Sequence, residues 1–517
     1  MLSQKSLSVG FSVISFFTIA LTNIGVNRVL ADNSRLFNEL ESRVITNPTE
    51  AQKQQIAEAA FIYGYPLVAE KGKEYQDLAQ QNPVNPEGSP LAIVNSQFNL
   101  NLRLSTPTDP FFGPNVDTLY GNAYLNLSQG PVTVTVPANP NNDFYSIDVL
   151  NAYVDTLGYI GDVGPSLTTP GSLNVTAPGS YYITPPGWRG NVPKGYTQIK
   201  SETNSIWLLS RTYVTNQASQ DSLAYALNLQ SGYTITAPGG SGYTQPTVES
   251  EFAGVFALGQ TPLTPRQLAD IATTPTDDPA TALKAFQQLN ADLSDNPLSV
   301  GGGGLSRAKL KNLIANFALI GIGDGKTGRP SSSGPTITEA QAVAALQAAL
   351  RDTSASSGTL GSFGTNYLYR TQTARVGIAA NQPQESIYFT PSTSDGTPLD
   401  GSKTYTITFP AGGLPPSLPG TNGFWSLSAY DARGFLIPNP DNIYSVATNT
   451  PNNLVFNADG SLTITLSATK PASGTANWLP IPAGSPFRLT GRDYLPTKAA
   501  QNDGYVFPSV VPVSTDK

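Results

Sequence analysis

The sequence predicts a mainly β protein with helical segments (α+β), made of two β domains separated by a helical insert. Short runs in which apolar and polar residues alternate occupy two long stretches, and alternation of this kind is typical of half-buried strands. Between them the apolar residues recur three or four positions apart, as on one face of a helix. The chain also contains 47 glycines and 43 prolines, which suits many turns between short strands.

Residues 1–31 are predicted to be a signal peptide. Lys5 provides the charged start, an apolar stretch follows from Leu7 to Leu21, and Val29-Leu30-Ala31 fits a cleavage site. The apolar stretch is short for a membrane anchor, because a bilayer core is roughly 30 Å thick, and no later segment of the sequence approaches a membrane span. We therefore expect a periplasmic or secreted protein that begins at Asp32.

Residues 32–90 are predicted to form N-terminal helices and a Pro-rich loop. Asn47-Pro48-Thr49-Glu50 is a good helix start. Gly64-Tyr65-Pro66 is expected to bend or end that helix, since proline removes a backbone donor. The Pro-rich loop falls at 82–90.

The first β domain is predicted at residues 91–218. Val132, Val134 and Val136 alternate with threonines, and similar short runs follow at Phe144–Val149, Tyr181–Thr184 and Ile206–Val214. Their spacing favours an antiparallel sandwich or barrel.

Residues 219–380 are predicted to be helical and residues 381–517 to form a second β domain. The clearest helices are Ala282–Leu293, Arg307–Leu319 and Ile337–Leu350. In the second β domain, Leu454–Leu466 is expected to be a hairpin around the turn Asp459-Gly460. A compact second sandwich fits this pattern best.

The composition excludes several classes of chemistry. The chain has no histidine and no cysteine, which rules out Ser-His-Asp and Cys-His catalysis, His-ligated metals and disulfide cross-links. Acid–base chemistry would need a carboxylate, lysine or tyrosine with a shifted pKa, or a bound cofactor. The net charge of −7 argues against nucleic acid or an anionic membrane as a partner.

Two groups of motifs resemble known families. The N-terminal motifs resemble the domain-of-unknown-function family numbered 1254; they are Asn115-Val116-Asp117-Thr118-Leu119-Tyr120, Phe144-Tyr145-Ser146, Pro186-Gly187-Trp188, Thr203-Asn204-Ser205-Ile206-Trp207-Leu208-Leu209-Ser210-Arg211-Thr212 and Ile320-Gly321-Ile322-Gly323. The C-terminal motifs resemble the companion family numbered 1214; they include Asp400-Gly401-Ser402, Phe424-Trp425-Ser426-Leu427, Tyr430-Asp431, Asn439-Pro440, Tyr444-Ser445, Asn477-Trp478-Leu479-Pro480 and Pro486-Phe487-Arg488-Leu489. The resemblance covers most of residues 55 to 510.

The resemblance implies an N-terminal β domain with helical excursions and a jelly-roll-like C-terminal domain. Neither family carries an agreed activity. Members of the first family often have a histidine shortly after the Asn-x-Phe stretch, where this chain reads Asn95-Ser96-Gln97-Phe98-Asn99. An activity that depends on that histidine is therefore absent here or is performed differently.

Asn115, Asp117 and Tyr120 form the most suggestive polar cluster. On a strand, residues 115 and 117 would point to one face, so that an amide and a carboxylate converge on a sugar hydroxyl, a water or a hard cation. The alternative is that Asn115 and Asp117 cap a turn after Gly113-Pro114.

Arg211 follows an apolar run that contains Trp207, and both are ligand-binding candidates. The guanidinium could clamp a carboxylate of a ligand or pair internally with Asp117 or Asp148. Tyr153 is a further candidate, because Asp148 and Asp155 on either side of it could form a paired-carboxylate site.

The second β domain mixes aromatic and polar residues in a way that suits sugars or other ligands with an apolar face. The alternative is a core of tryptophan and tyrosine with satisfied polar tips. The binding candidates in this domain are Trp425, Tyr430, Arg433, Asn439 and Tyr444.

These observations favour a protein that binds a small molecule or glycan near the domain junction. A carboxylate-based hydrolase is the first alternative, with Asp117 and Asp148 as catalytic candidates and an oxygen-ligated divalent cation as an optional cofactor. A structural surface protein that assembles through its sheet edges is the second. The sequence identifies no metal ligands and leaves open whether the protein is an enzyme or a homo-oligomer.

Overall fold

The computed structural model describes residues 36–79, 91–109, 113–161, 178–273, 276–297, 305–325, 334–353, 356, 359–418, 422–449, 454–502 and 504–513. The predicted signal peptide and the whole of the predicted Pro-rich loop at 82–90 lie outside these residues. The α+β class is confirmed: helices and strands are both abundant, and the strands form four sheets. Among the described residues, no helix is both long enough and apolar enough to cross a bilayer.

The first β half is a sandwich of two sheets. Its strands are Asn99–Leu100 (β1), Thr118–Asn126 (β2), Val132–Val136 (β3), Tyr145–Asn151 (β4), Thr156–Gly161 (β5), Gly179–Thr184 (β6), Tyr196–Lys200 (β7), Ser205–Tyr213 (β8) and Thr234–Thr236 (β9). One sheet has the order β1-β2-β8-β4-β5 and the other β7-β6-β3-β9. Their facing side chains, such as Val134, Ile147, Ile183 and Leu208, form a buried apolar core. β9 pairs with β3, so the sandwich takes a strand from the segment predicted to be helical.

The second β half is also a sandwich. Its strands are Ser386–Phe389 (β10), Tyr405–Phe409 (β11), Trp425–Asp431 (β12), Ser445–Ala447 (β13), Leu462–Ser467 (β14), Trp478–Pro480 (β15), Phe487–Tyr494 (β16) and Val511–Pro512 (β17). The sheets have the orders β10-β16-β12-β13 and β15-β14-β11-β17. Trp425, Leu427, Ile464 and Leu489 lie in the core between them.

A helical layer wraps one long helix. The helices with both ends inside the described residues are Glu50–Ala79 (α1), Gln220–Ser231 (α2), Val248–Glu251 (α3), Ala253–Phe256 (α4), Pro265–Thr273 (α5), Pro279–Asp292 (α6), Arg307–Ala318 (α7), Glu339–Thr353 (α8), Tyr367–Val376 (α9) and Lys498–Gln501 (α10). α6, α7 and α8 occupy the three segments predicted to be helices. Together with α9 they pack around α1, which is buried along most of its length.

Of the two expectations for Gly64-Tyr65-Pro66, a bend or an end of the helix, the end is wrong. α1 continues through Pro66 to Ala79, although proline has no N–H to donate to the carbonyl of Ile62 one turn earlier. The hydroxyl of Thr371 in α9 donates to that carbonyl instead. A neighbouring helix therefore supplies the hydrogen bond that proline removes, which the sequence around Pro66 could not indicate.

Replacing Thr371 with valine is expected to destabilise the protein by about 1–3 kcal/mol, because the buried Ile62 carbonyl then has no donor. Thr371→Ser keeps the hydroxyl and should cost less. In a Pro66→Ala background the restored amide can donate to Ile62, so Thr371→Val should then cost clearly less. The free energy of unfolding in urea measures all four variants, and an equal cost in both backgrounds would contradict this role of Thr371.

The expected hairpin at Leu454–Leu466 is only partly correct. The turn at Asp459-Gly460 is present, with Gly460 at a φ of +81° and the Asn457 amide bonded to the Ser461 carbonyl at 2.8 Å. No strand precedes it, because β14 pairs with β11 on one side and β15 on the other. The residues that were expected to be its partner strand are held by Asn477 and leave Val455 exposed.

Aromatic side chains join the two β halves. Phe424 from the second half stacks on Tyr213 of the first at 3.9 Å and on Tyr494 at 4.2 Å between ring centroids. Phe144 of the first half meets Phe424 edge-on at 5.4 Å. All four rings are buried. The outer face of the β10-β16-β12-β13 sheet therefore packs against the first sandwich.

Candidate functional site

A cavity of about 200 Å³ lies at this junction. Its walls come from α1, from one face of β2 and β8, from the segment 374–380 and from the outer face of β10 and β16. The cavity thus receives side chains from both β halves and from the helical layer, in the region where the sequence predicts a ligand.

Strand alternation places the first-half side chains. In β2 and β8, Tyr120 pairs with Arg211 and Asn122 pairs with Leu209, and all four line the cavity. Their sequence neighbours, such as Leu208, point to the opposite face and into the sandwich core. One sheet thus uses its inner face for folding and its outer face for the cavity.

Arg211 is the charged group of this face. It is 5% exposed, and its Nη2 donates to the carbonyl of Ala379 at 2.7 Å. Its Nη1 has no hydrogen-bond partner in the described part of the chain. The guanidinium lies 5.9 Å from the ring centre of Tyr120. The internal ion pair that was the structural alternative is not present, since neither Asp117 nor Asp148 lies within salt-bridge distance of Arg211.

Arg492 on β16 enters the same cavity from the second half. It is 4% exposed, and its Nη2 donates to the Gly113 carbonyl at 2.7 Å and to Tyr430 Oη at 2.9 Å. Tyr430 in turn donates to the Pro114 carbonyl at 2.7 Å. Nη1 of Arg492 is unpartnered among the described residues, as in Arg211. Two buried guanidinium groups therefore keep one nitrogen each without a partner.

Tyrosine hydroxyls accompany the two arginines. Tyr120 Oη accepts hydrogen bonds from Asn115 Nδ2 at 2.8 Å and Asn115 N at 3.2 Å. Tyr388 Oη accepts from the Asn381 amide at 3.1 Å. Tyr494 also lines the cavity. The polar end of the cavity is thus rich in hydrogen-bond donors, and no carboxylate is among its described lining residues.

The other walls are mostly apolar, and Lys73, Gln76 and Arg375 also belong to them. Tyr65, Ala69, Trp207, Leu268 and Ile378 line them. The Trp207 indole donates to Asn122 Oδ1 at 3.1 Å, which fixes the ring. Lys73 lies 6.0 Å from the Trp207 ring centre and forms an ion pair with Asp77. Its charge is therefore already compensated, unlike those of the two arginines.

Asn115 and Asp117 do not lie on a strand, since β2 begins at Thr118. Asn115 Oδ1 accepts from the amides of Asp117 and Thr118, both at 3.0 Å, so the turn-capping alternative describes this segment. The Asn115 amide nevertheless reaches the cavity through Tyr120. Asp117 is fully buried beside the second half, 3.5 Å from Gln217 Nε2.

Asp117 and Asp148 are far apart. Asp117 bonds to Val214 through its carbonyl, whereas Asp148 pairs with Leu209, which is about 16 Å further along β8 at about 3.3 Å per residue. Glycosidase carboxylates are about 5–9.5 Å apart. Among the described residues, no three acidic side chains are grouped so that they could hold a metal ion. The hydrolase hypothesis stays a prediction without a paired partner for Asp117.

The second-half candidates are mostly structural. Trp425 lies in the sandwich core. Arg433 forms an exposed salt bridge with Asp431 at 3.0 Å. Asn439 caps its own loop through the Ile443 amide at 3.0 Å, and Tyr444 donates to Asn442 at 2.9 Å. Tyr430 alone is connected to the cavity, since it contacts Arg492.

Tyr153 belongs to the helical core. Its hydroxyl donates to the Asn296 carbonyl at 3.0 Å, and its ring lies 5.4 Å from the buried guanidinium of Arg370. Arg370 binds Asp155 at 3.3 Å. Asp155 therefore points toward α9, whereas Asp148 lies on the β1-β2-β8-β4-β5 sheet, and the two carboxylates do not form a pair.

Arg492, Tyr388 and Tyr494 were not among the sequence candidates. Arg492 and Tyr494 could have been found from the alternation of residues along β16. In Leu489-Thr490-Gly491-Arg492-Asp493-Tyr494 the even-numbered residues face outward from the sandwich, so that an arginine and a tyrosine lie on its outer face. The sequence could not have shown that these residues meet Arg211.

Burial raises the pKa of several carboxyl groups. The pKa of Asp148 rises to about 7, and Arg211 nearby opposes the rise. Desolvation likewise raises the pKa of Asp292 to about 8 and of Glu74 to about 7, against the opposing charge of Lys71. At neutral pH, therefore, Asp148 is a weak counter-ion for Arg211.

The protein is expected to lose stability as the pH rises from about 4 to about 8. A carboxyl whose pKa is higher in the folded than in the unfolded state binds more protons when folded, so acid favours folding across that window. We expect the free energy of unfolding in urea to fall by at least about 2 kcal/mol between pH 5 and pH 8.

Asp148→Asn should reduce this fall, because the amide mimics the protonated acid. Asp459→Asn is the control, since hydrogen bonds to Ser461 lower the pKa of Asp459 and its titration lies below the window. Stability that is constant or increases from pH 5 to pH 8 would contradict the raised pKa values.

The fold and the cavity define a two-sandwich protein whose halves and helical layer enclose a donor-lined pocket. Residues 95–237 match the family DUF1254 and residues 385–498 match DUF1214, both described as proteins of unknown function. The two matches lie in the order that the motifs predicted, which confirms the resemblance.

The chain is similar to two solved structures. The VPA0106 protein from Vibrio parahaemolyticus is 20% identical with a TM-score of 0.55, over 89% of this chain and 100% of that chain. An uncharacterised protein from Burkholderia cenocepacia is 14% identical with a TM-score of 0.38, over 95% of this chain and 97% of that one. The Vibrio structure shows that the fold is shared. A search of curated proteins gave no match.

Proposed function

We propose that the protein binds a small organic anion, namely a carboxylate on an apolar body of about one ring, in the junction cavity. The observation that carries this proposal is the pair Arg211 and Arg492. Each is buried and lines the cavity, each comes from a different β half, and each has an Nη1 without a hydrogen-bond partner among the described residues.

Neither buried arginine has a salt bridge among the described residues, and Asp148 and Asp117 act on Arg211 and Arg492 only from beyond that distance. A buried ion without a close partner costs several kcal/mol. A ligand carboxylate would supply the missing charge and accept charge-assisted hydrogen bonds from both guanidinium groups. The ligand would then bridge the two halves.

The size and the walls of the cavity fit the apolar body of the proposed ligand. A cavity of about 150 Å³ holds a benzene molecule, and this one measures about 200 Å³. Trp207, Tyr65 and Leu268 offer ring and aliphatic contacts to an apolar body. An oligosaccharide is too large, which narrows the ligand hypothesis from glycans to small molecules. With the signal-peptide pattern, we propose that binding takes place outside the cytoplasm.

Calorimetric titration with benzoate and its neutral isostere benzamide tests the proposal. We expect one benzoate per chain at millimolar affinity or better, and benzamide at least tenfold weaker, because the amide brings no charge to the arginines. Glucose is titrated as a test of sugar binding and should not bind. Equal affinity for benzamide, or no binding by benzoate or by larger aryl carboxylates, would overturn the proposal.

A further inference from the structure

We infer that Asn115 fixes the Tyr120 hydroxyl as a hydrogen-bond donor to the ligand, so that the cavity selects headgroups that only accept hydrogen bonds. This inference rests on the proposed function and deepens it. It makes the Asn115–Tyr120 pair a determinant of specificity and separates a carboxylate from amides, alcohols and amines of the same shape.

The first step is the orientation of the Asn115 amide. Its Oδ1 accepts three hydrogen bonds, from the amides of Asp117 and Thr118 at 3.0 Å each and from Thr118 Oγ1 at 3.1 Å. An amide nitrogen could not occupy that place, because it would face two backbone N–H donors. Nδ2 must therefore point to Tyr120, which it meets at 2.8 Å.

The second step concerns the phenol oxygen. A tyrosine hydroxyl has one hydrogen to donate and accepts through its oxygen lone pairs. In Tyr120 the backbone amide and the side-chain amide of Asn115 both donate to that oxygen. Its accepting capacity is used, and no acceptor for its hydrogen is present in the described part of the chain. The hydrogen is therefore available to the cavity that Tyr120 lines.

The consequence is a headgroup site that is rich in hydrogen-bond donors, with no carboxylate among its described lining residues. Arg211 and Arg492 also line it, and Tyr388 accepts from the Asn381 amide, which leaves its hydrogen available too. A carboxylate accepts from all of these groups. An N–H or O–H of a ligand would instead meet a donor and lose its hydrogen bond to water, which costs affinity.

Asn115→Asp tests the inference because it is isosteric and reverses one hydrogen bond. One carboxylate oxygen keeps the turn contacts of Oδ1, while the other replaces Nδ2 and accepts the Tyr120 hydrogen. The donor is then withdrawn from the cavity. We expect benzoate affinity to fall at least tenfold by calorimetry, and Tyr120→Phe, which removes the same hydrogen, to give a similar fall.

A double-mutant cycle separates this effect from simple charge repulsion. In a Tyr120→Phe background, Asn115→Asp should cost clearly less benzoate affinity than in the wild type, since no tyrosine hydrogen remains to be withdrawn. An equal cost in both backgrounds, or no cost in the wild type, would overturn the inference. If the wild type itself does not bind benzoate, the proposed function fails instead, so the two failures are distinguishable. Melting temperatures of all variants check folding.

Discussion

Replacing Arg211 with methionine is expected to weaken benzoate binding by about 100-fold or more while changing the stability of the protein by less than about 2 kcal/mol. Removing one partner of a buried, hydrogen-bonded charge pair costs about 2–5 kcal/mol of binding free energy, which is a loss of affinity of roughly 30-fold or more. Arg211 has no salt bridge in the described chain to lose on folding. An apolar side chain of similar length relieves its desolvation, which offsets the lost bond to the Ala379 carbonyl.

This separation of effects distinguishes a ligand-binding arginine from a structural one. Arg433→Met is the matched control, since Arg433 is exposed, is paired with Asp431 and is not among the lining residues of the cavity; it should change neither affinity nor stability. Arg211→Lys keeps the charge without the planar fork and should fall between wild type and methionine. A variant Arg211→Met that loses several kcal/mol of stability, or that binds benzoate normally, would show that Arg211 is structural.

Replacing Phe424 with alanine is expected to destabilise the protein by about 3–5 kcal/mol, the usual range for a large buried ring. Phe424 stacks on Tyr213 and Tyr494 and meets Phe144 edge-on. Because these contacts cross from one β half to the other, we expect calorimetric unfolding to separate into two transitions. Benzoate binding should also weaken, since Tyr494 and Arg492 sit on the strand that Phe424 supports.

Phe456→Ala is the control for this experiment. Phe456 is a ring of the same size that is 50% exposed, and its removal should cost less than about 0.5 kcal/mol. A single unfolding transition with little loss of stability in Phe424→Ala would mean that the aromatic cluster does not hold the halves together.

Local patterns predicted much of the fold. β3 follows the valine–threonine alternation from Val132 to Val136, and α6 begins at Pro279 after its Asp278 cap, close to the predicted start. The predictions failed where contacts with residues distant in the sequence determine the local structure. Pro66 remains helical because Thr371 replaces its missing donor, and the strand expected before the Asp459-Gly460 turn cannot form because both sides of β14 are occupied.

The sequence predicted the site residues of the first β half but not those of the second. Tyr120 lies on β2, Trp207 and Arg211 lie on β8, and Asn115 lies just before β2. Sequence motifs in these segments singled out all four residues. Arg492 is distant in the chain, and nothing local ties it to Arg211. Their meeting depends on how the second sandwich docks through Phe424, which is a property of packing and not of local pattern.

A crystal structure of the protein with 4-bromobenzoate would test the central claim most directly. The expected result is the carboxylate between Nη1 of Arg211 and Nη1 of Arg492, within about 3 Å of each, with the anomalous bromine signal toward Trp207 and Leu268. A carboxylate bound elsewhere, or a cavity that stays empty while the acid is bound in solution, would contradict it.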